Sequence, residues 1–163
     1  MKGSWPMLCK IFALFLVLVN SVLATKRENH FGKPCKLCEC FIYYSDRDVA
    51  IPHIPYKVVK NPYESTEDRC LATCKADPEC KMVVYGFVGG RQVFTCELYD
   101  QVNVKNPIYA PFTNIYLKRG PICNSKFANT FYPLQVVDGD ETVIARKSRY
   151  VKLSQRQNPF NFG

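Results

Sequence analysis

Histidine is nearly missing from this chain: His30 and His53 are the only two in 163 residues. Catalytic triads and dyads that depend on an imidazole held by a second group therefore start without their usual base. His30 falls in a polar stretch and His53 stands between Pro52 and Ile54, so both read as plain loop or surface positions. No Asn-x-Ser/Thr acceptor occurs, and N-glycosylation is not expected. Glycine is sparse, and its one adjacent pair, Gly89-Gly90, lies between two strand-like runs. That placement predicts a hairpin turn and not a phosphate-cradling loop. Apolar runs stop short of the roughly 20 residues that a membrane span needs. The acid pairs Asp46/Asp48 and Asp138/Asp140 have the look of turn residues. No catalytic residue, metal or cofactor is expected, and nothing here points to an enzyme.

What the chain does have is cysteine, aromatics and positive charge. Nine cysteines, ten tyrosines, eleven phenylalanines and a formal charge of +8 stand in a chain that is 47% hydrophobic. Such a composition folds, and the length allows one ordinary domain with a tail or two. Lys2 and Lys10 precede a continuous apolar run, Ile11 to Val19, which is followed by Asn20-Ser21 and Val22-Leu23-Ala24. That order predicts a secretory signal peptide over residues 1–24, cleaved after Ala24. Its removal takes away Cys9 and the two lysines, which lowers the charge to +6 and leaves eight cysteines. An even number in an exported chain reads as a disulfide set. The expected home is extracellular, where nucleic acid is not a normal partner.

Three zones follow. Residues 25–39 form a polar, basic arm with extra cysteines; residues 40–123 concentrate cysteines, aromatics and periodic segments; residues 124–163 form a basic, cysteine-free extension. In the middle zone, Ser65-Thr66-Glu67-Asp68 is a helix start, a hydroxyl cap followed by acids in the first turn. The helix should pass through Cys70, Leu71 and Cys74 and stop near Asp77-Pro78. Met82 to Val88 and Gln92 to Tyr99 are rich in β-branched and aromatic residues and read as a hairpin. Phe94, Cys96 and Leu98 share one face of its second strand, which points Cys96 inward. Further strands are expected at Cys40–Ser45, around Tyr56–Lys60 and at Phe112–Lys118. One helix on an antiparallel sheet makes an α+β domain.

Spacing constrains the cysteines. Cys70 and Cys74 share a helix face with β-carbons about 5–6 Å apart, too far for a bond that needs about 3.8 Å. Both must reach outward. Cys80, just past the turn, suits Cys74, which leaves Cys70 facing the inward Cys96. The Cys35-Lys36-Leu37-Cys38-Glu39-Cys40 run has the thiol density of a zinc cluster, with His30 or His53 as a further ligand. An oxidising pathway converts such thiols to disulfides first. Its Cys-x-x-Cys also lacks the helix start and βαβ context of a thiol oxidoreductase.

The segment from Glu67 to Tyr99 (EDRCLATCKADPECKMVVYGFVGGRQVFTCELY) resembles the PAN/apple module. That family sets Cys-x3-Cys on its single helix, a third cysteine soon after, an aromatic-rich strand, and a strand bearing Cys-x-Leu. Cys70 and Cys74, Cys80, Tyr85 with Phe87, and Cys96 with Leu98 match these features. The resemblance also implies an outer bond between the start and end of the domain, where Cys40 and Cys123 stand. The family pattern has one cysteine at the start and this chain has three. Because Cys38–Cys40 would close a strained ring, Cys40–Cys123 with Cys35–Cys38 is preferred. Cys38–Cys123 with Cys35–Cys40 stays open as the rival.

Between Arg146 and Arg156 there are five basic residues and no acid. Arg146, Lys147, Arg149 and Lys152 fit the short base–spacer–base pattern of heparin sites, and clustered cations displace the counterions of a polyanion. Read as an extended segment, they would fall on both faces of a strand. The competing reading is a solvated tail. By resemblance, the expected function is binding of extracellular protein or carbohydrate; the basic run itself adds an expected glycosaminoglycan affinity through these four residues. The alternatives are a salivary-type antagonist of a host protein such as collagen, as in the antiplatelet proteins of blood feeders, or a peptide precursor cut at Lys26-Arg27.

Overall fold

A computed structural model of the chain describes residue 31 and residues 35–102, 104–120, 123 and 125–157. The expected signal peptide, Lys26-Arg27 and His30 lie outside these residues. The described residues form eight strands: β1 (Phe41–Tyr44), β2 (Arg47–Asp48), β3 (Lys57–Val59), β4 (Met82–Gly86), β5 (Thr95–Tyr99), β6 (Ile108–Tyr109), β7 (Thr113–Lys118) and β8 (Val136–Asp138). Six of them make one antiparallel sheet in the order β1-β7-β4-β5-β3-β8, and β2 pairs with β6 beside it. Among the described residues two α-helices complete the fold, α1 (Glu67–Ala76) and α2 (Val143–Gln157). The architecture is α+β.

Helix α1 begins where its start signal lies. The Thr66 hydroxyl accepts from Arg69 N, and Glu67 and Asp68 occupy the first turn, where the helix dipole favours acids. At its other end Lys118 reaches over from β7 and donates to the carbonyls of Cys74 and Asp77 at 3.1 and 3.0 Å. Strand alternation then divides the interior into two cores. Val83, Tyr85, Cys96, Leu98 and Tyr116 pack with Leu71 of α1 on one face, while Met82, Val84, Tyr99 and Ile115 pack with Val49 and Val88 on the other.

Four disulfides join Cys35 with Cys38, Cys40 with Cys123, Cys70 with Cys96, and Cys74 with Cys80. Their Cα separations of 5.2–5.6 Å fall in the ordinary disulfide range. All eight cysteines belong to the α1-side core or pack against it. Such a set fits an oxidising, extracellular setting.

Several expectations need correction. A single helix on the sheet was expected, and α2 is a second one. Gly89-Gly90 does not make a short hairpin turn between strands ending at Val88 and starting at Gln92: β4 and β5 pair from Gly86↔Thr95 outward, so the connection runs over residues 87–94. It is drawn across the second face because Val88 inserts into that core and Gly89 N donates to the buried Asp48 carboxylate at 2.7 Å. Asp48 is therefore no solvated turn acid. The described end of the 25–39 arm also joins the fold, since Leu37 is fully buried. So do the described residues beyond Cys123: Leu134 N donates to Thr73 Oγ1, β8 adds an edge strand beside β3, and α2 follows. Among the described residues no helix is long and apolar enough to cross a membrane.

Candidate functional site

Strand β5 carries an acid, Glu97, at the middle of a strand whose every residue is buried. Alternation sends Cys96 and Leu98 toward α1 and leaves Glu97 on the opposite face, where an unpaired charge would be very costly. Helix α2 supplies the counter-ion. Arg146, fully buried, bonds Glu97 Oε2 at 2.8 Å, Glu141 Oε2 at 2.9 Å and Asp48 Oδ1 at 3.2 Å. Arg91 from the 87–94 loop pairs with Glu97 and Glu141, and Arg149 pairs with Glu141 while its Nε donates to Gly89 O at 2.7 Å. The Tyr99 and Tyr150 hydroxyls donate to Glu97 and Asp48. Three arginines thus face three carboxylates.

Close approach of α2 to the loop depends on glycine. Gly89 and Gly90 have φ of +64° and +75°, and a β-carbon on Gly89 would lie 2.8 Å from Arg146 Nη1. On Gly90 it would lie 3.2 Å from Arg149 Cβ. Other residues would strain the backbone and lift the helix.

Burial acts against the charge of both inner acids, with different results. For Asp48, burial outweighs the pull of Arg146 and pushes the carboxyl up. For Glu97, Arg146 and Arg91 together outweigh burial and hold the carboxyl below its usual value of 4.5. A depressed carboxyl stabilises the fold above its unfolded value, and that contribution fades as pH falls through the folded one. The raised Asp48 works in the opposite sense. Wild type should therefore lose stability below about pH 4.5 through Glu97, and Glu97→Gln should flatten that acid limb. Urea midpoints from about pH 6 to about pH 3 measure it; parallel curves for the two proteins would show that Glu97 does not carry the effect.

Over this network lies a cleft of about 340 Å3 between the loop and α2. Arg91, Arg149, Lys152 and Arg156 line it, over Val93 and Leu153. No acid is among its described lining residues. Positions 149, 152 and 156 share a face because they are three and four residues apart on a helix.

The heparin-site assignment changes accordingly. Residues 146–152 are helical and not extended: Thr142 caps the segment by accepting from Ala145 N at 3.1 Å, and Arg146, Tyr150 and Leu153 form the inward stripe. Arg146 is removed from the site because its whole side chain is buried against carboxylates. Lys147 is exposed but about 140° around the helix from Lys152 and does not line the cleft. Arg149 and Lys152 do come together there. Sequence reasoning missed Arg91 and Arg156. The three-and-four spacing of residues 149, 152 and 156 was a readable signal for the second, whereas the first needs the long loop.

Comparison with protein-family models, curated proteins and solved structures finds no match. The reading of this site therefore stands on its own chemistry.

Proposed function

We propose that this is a secreted, non-catalytic binding module of PAN/apple type whose ligand is an extracellular polyanion such as a sulfated glycosaminoglycan. The observation that carries the reading is the four-cation cleft between the 87–94 loop and α2. Arg91 and Arg149 are partly neutralised by Glu97 and Glu141, which fix their positions. Lys152 and Arg156 stand exposed at the rim, so their charge is available to a ligand. Sulfate groups would accept from such donors with release of counterions. The signal-like start, the four disulfides and the cysteine pattern from Glu67 to Tyr99 support the secreted, module-like part of the reading.

Heparin chromatography tests it. Lys152→Ala with Arg156→Ala should elute at lower salt than wild type, while Lys147→Ala should elute with it. The slope of log affinity against log salt should fall by about 1 for each cation removed. Identical elution of the double variant and wild type would overturn the assignment.

A protein partner, as in the antagonist reading, is favoured by a different observation. Edge strand β1 exposes Ile42, Tyr43 and Tyr44 in succession, and tyrosine is enriched in protein interfaces.

A further inference from the structure

The Cys35–Cys38 bond differs from the other three in its surroundings. Both of its cysteines are half-buried, whereas each other bond has at least one buried cysteine: Cys40, Cys70, Cys74, Cys80 and Cys96 are buried and Cys123 is half-buried. It closes the shortest loop, with a separation of 3 residues against 6, 26 and 83 for the others. On the chain-entropy argument its loss removes the least constraint from the unfolded chain. The loop is also held by other means. Asp68 Oδ1 accepts from the backbone N–H of Lys36 and Leu37 at 3.0 and 2.9 Å, and the Leu37 side chain is fully buried. With the bond open, the backbone between the two cysteines would stay anchored at Lys36 and Leu37 while the two sulfurs separate to non-bonded distance.

A third donor is already in place. The sulfurs of Cys35 and Cys38 and a carboxylate oxygen of Glu67 all lie within 4.8 Å of one another. Glu67 is buried, and the Tyr116 hydroxyl donates to its Oε1. Asn114 Nδ2 in turn donates to that hydroxyl at 2.9 Å. Such a chain of hydrogen bonds orients a metal-binding carboxylate. His53 is not in the group. Asp68 approaches Cys35 Sγ at 3.7 Å but is engaged in holding the loop, so three donors are counted among the described residues.

We propose that reduction of the Cys35–Cys38 bond unmasks a site for a thiophilic divalent cation, zinc first, held by the two thiolates and the Glu67 carboxylate. The reductant is a low-molecular-weight thiol. One thiolate attacks a bond sulfur and forms a mixed disulfide, and a second displaces the protein sulfur. Two protein thiols and the reductant's own disulfide result. Metal binding then releases the two thiol protons. Two sulfurs and one carboxylate match the preferences of zinc. The inference is independent of the polyanion cleft, which lies on the other face of the sheet.

Limited reduction of the intact chain, alkylation and peptide mapping should find Cys35 and Cys38 free before any other pair. Cobalt(II) added to a parallel sample, reduced in the same way but not alkylated, should give a thiolate-to-metal charge-transfer band at one ion per chain, which zinc abolishes by displacement. The Cys35→Ser, Cys38→Ser double variant should give no band. Tyr116→Phe, which keeps the core volume but removes the orienting hydroxyl, should weaken cobalt binding by about 10-fold, and Glu67→Gln should weaken it further. The proposal fails if another disulfide opens first, or if the reduced wild type gives no band. It fails equally if the double serine variant binds as wild type does, or if neither Glu67→Gln nor Tyr116→Phe changes the affinity.

Discussion

Arg146→Met should destabilise the protein by about 3–5 kcal/mol, because it leaves Asp48 and Glu97 as buried acids without their shared cation. The side chain that was expected to touch ligand instead seats α2 on the sheet, through contacts of 2.8–3.2 Å to Glu97, Glu141 and Asp48. Lys147→Ala, one residue on and exposed, should change stability by no more than about 0.5 kcal/mol. Adding Asp48→Asn and Glu97→Gln to Arg146→Met should restore much of the loss, since the stranded charges then disappear together. Urea midpoints at neutral pH decide it. A wild-type midpoint for Arg146→Met alone would mean that apolar contacts such as Leu153 against Gly90 suffice to hold the helix.

The second large effect is expected at the covalent link between α1 and the sheet. Replacing Cys70 and Cys96 together by alanine should cost about 2–5 kcal/mol and lower the melting temperature accordingly. This bond spans 26 residues and ties the helix to β5 at Cys96, with both cysteines fully buried. Part of the loss comes from the freed unfolded chain and part from the volume vacated in the core. Peptide mapping of the wild type checks the premise: Cys70 linked to Cys80 in place of Cys96 would refute it.

Which parts of this molecule could be read from sequence follows from how local their causes are. Helix α1 was legible because its cap, its first-turn acids and its stop at Asp77-Pro78 all lie within a dozen residues. The strands around Phe41, Lys57, Met82, Thr95 and Thr113 were legible from β-branched and aromatic runs. Helix α2 was not, although Thr142 and the spacing of Arg146, Tyr150 and Leu153 were there to see. The charge run drew attention to ligand, and the inward stripe is led by an arginine and not by a hydrophobe. Glu97 held the complementary clue, an acid inside an apolar strand that must find a cation somewhere. Its partner stands 49 residues away, and spacing does not reveal pairings of that range. The cleft was half legible for the same reason. Arg149 and Lys152 are neighbours in sequence, while Arg91 reaches them only because the Val88–Gly90 turn lies over the second face.

The two faces of the sheet are secured by different kinds of bond. Every disulfide serves the α1 side, and the last cysteine is Cys123, so β8 and α2 hang beyond the final covalent crosslink. Tension applied to the C-terminal end would meet ion pairs and hydrogen bonds first and strip α2 and then β8 from the sheet. The remaining body, crosslinked from Cys35 to Cys123, would bear the load without lengthening much. The molecule is mechanically lopsided: a tether attached at its tail would yield in steps, while a grip on the stapled side would hold.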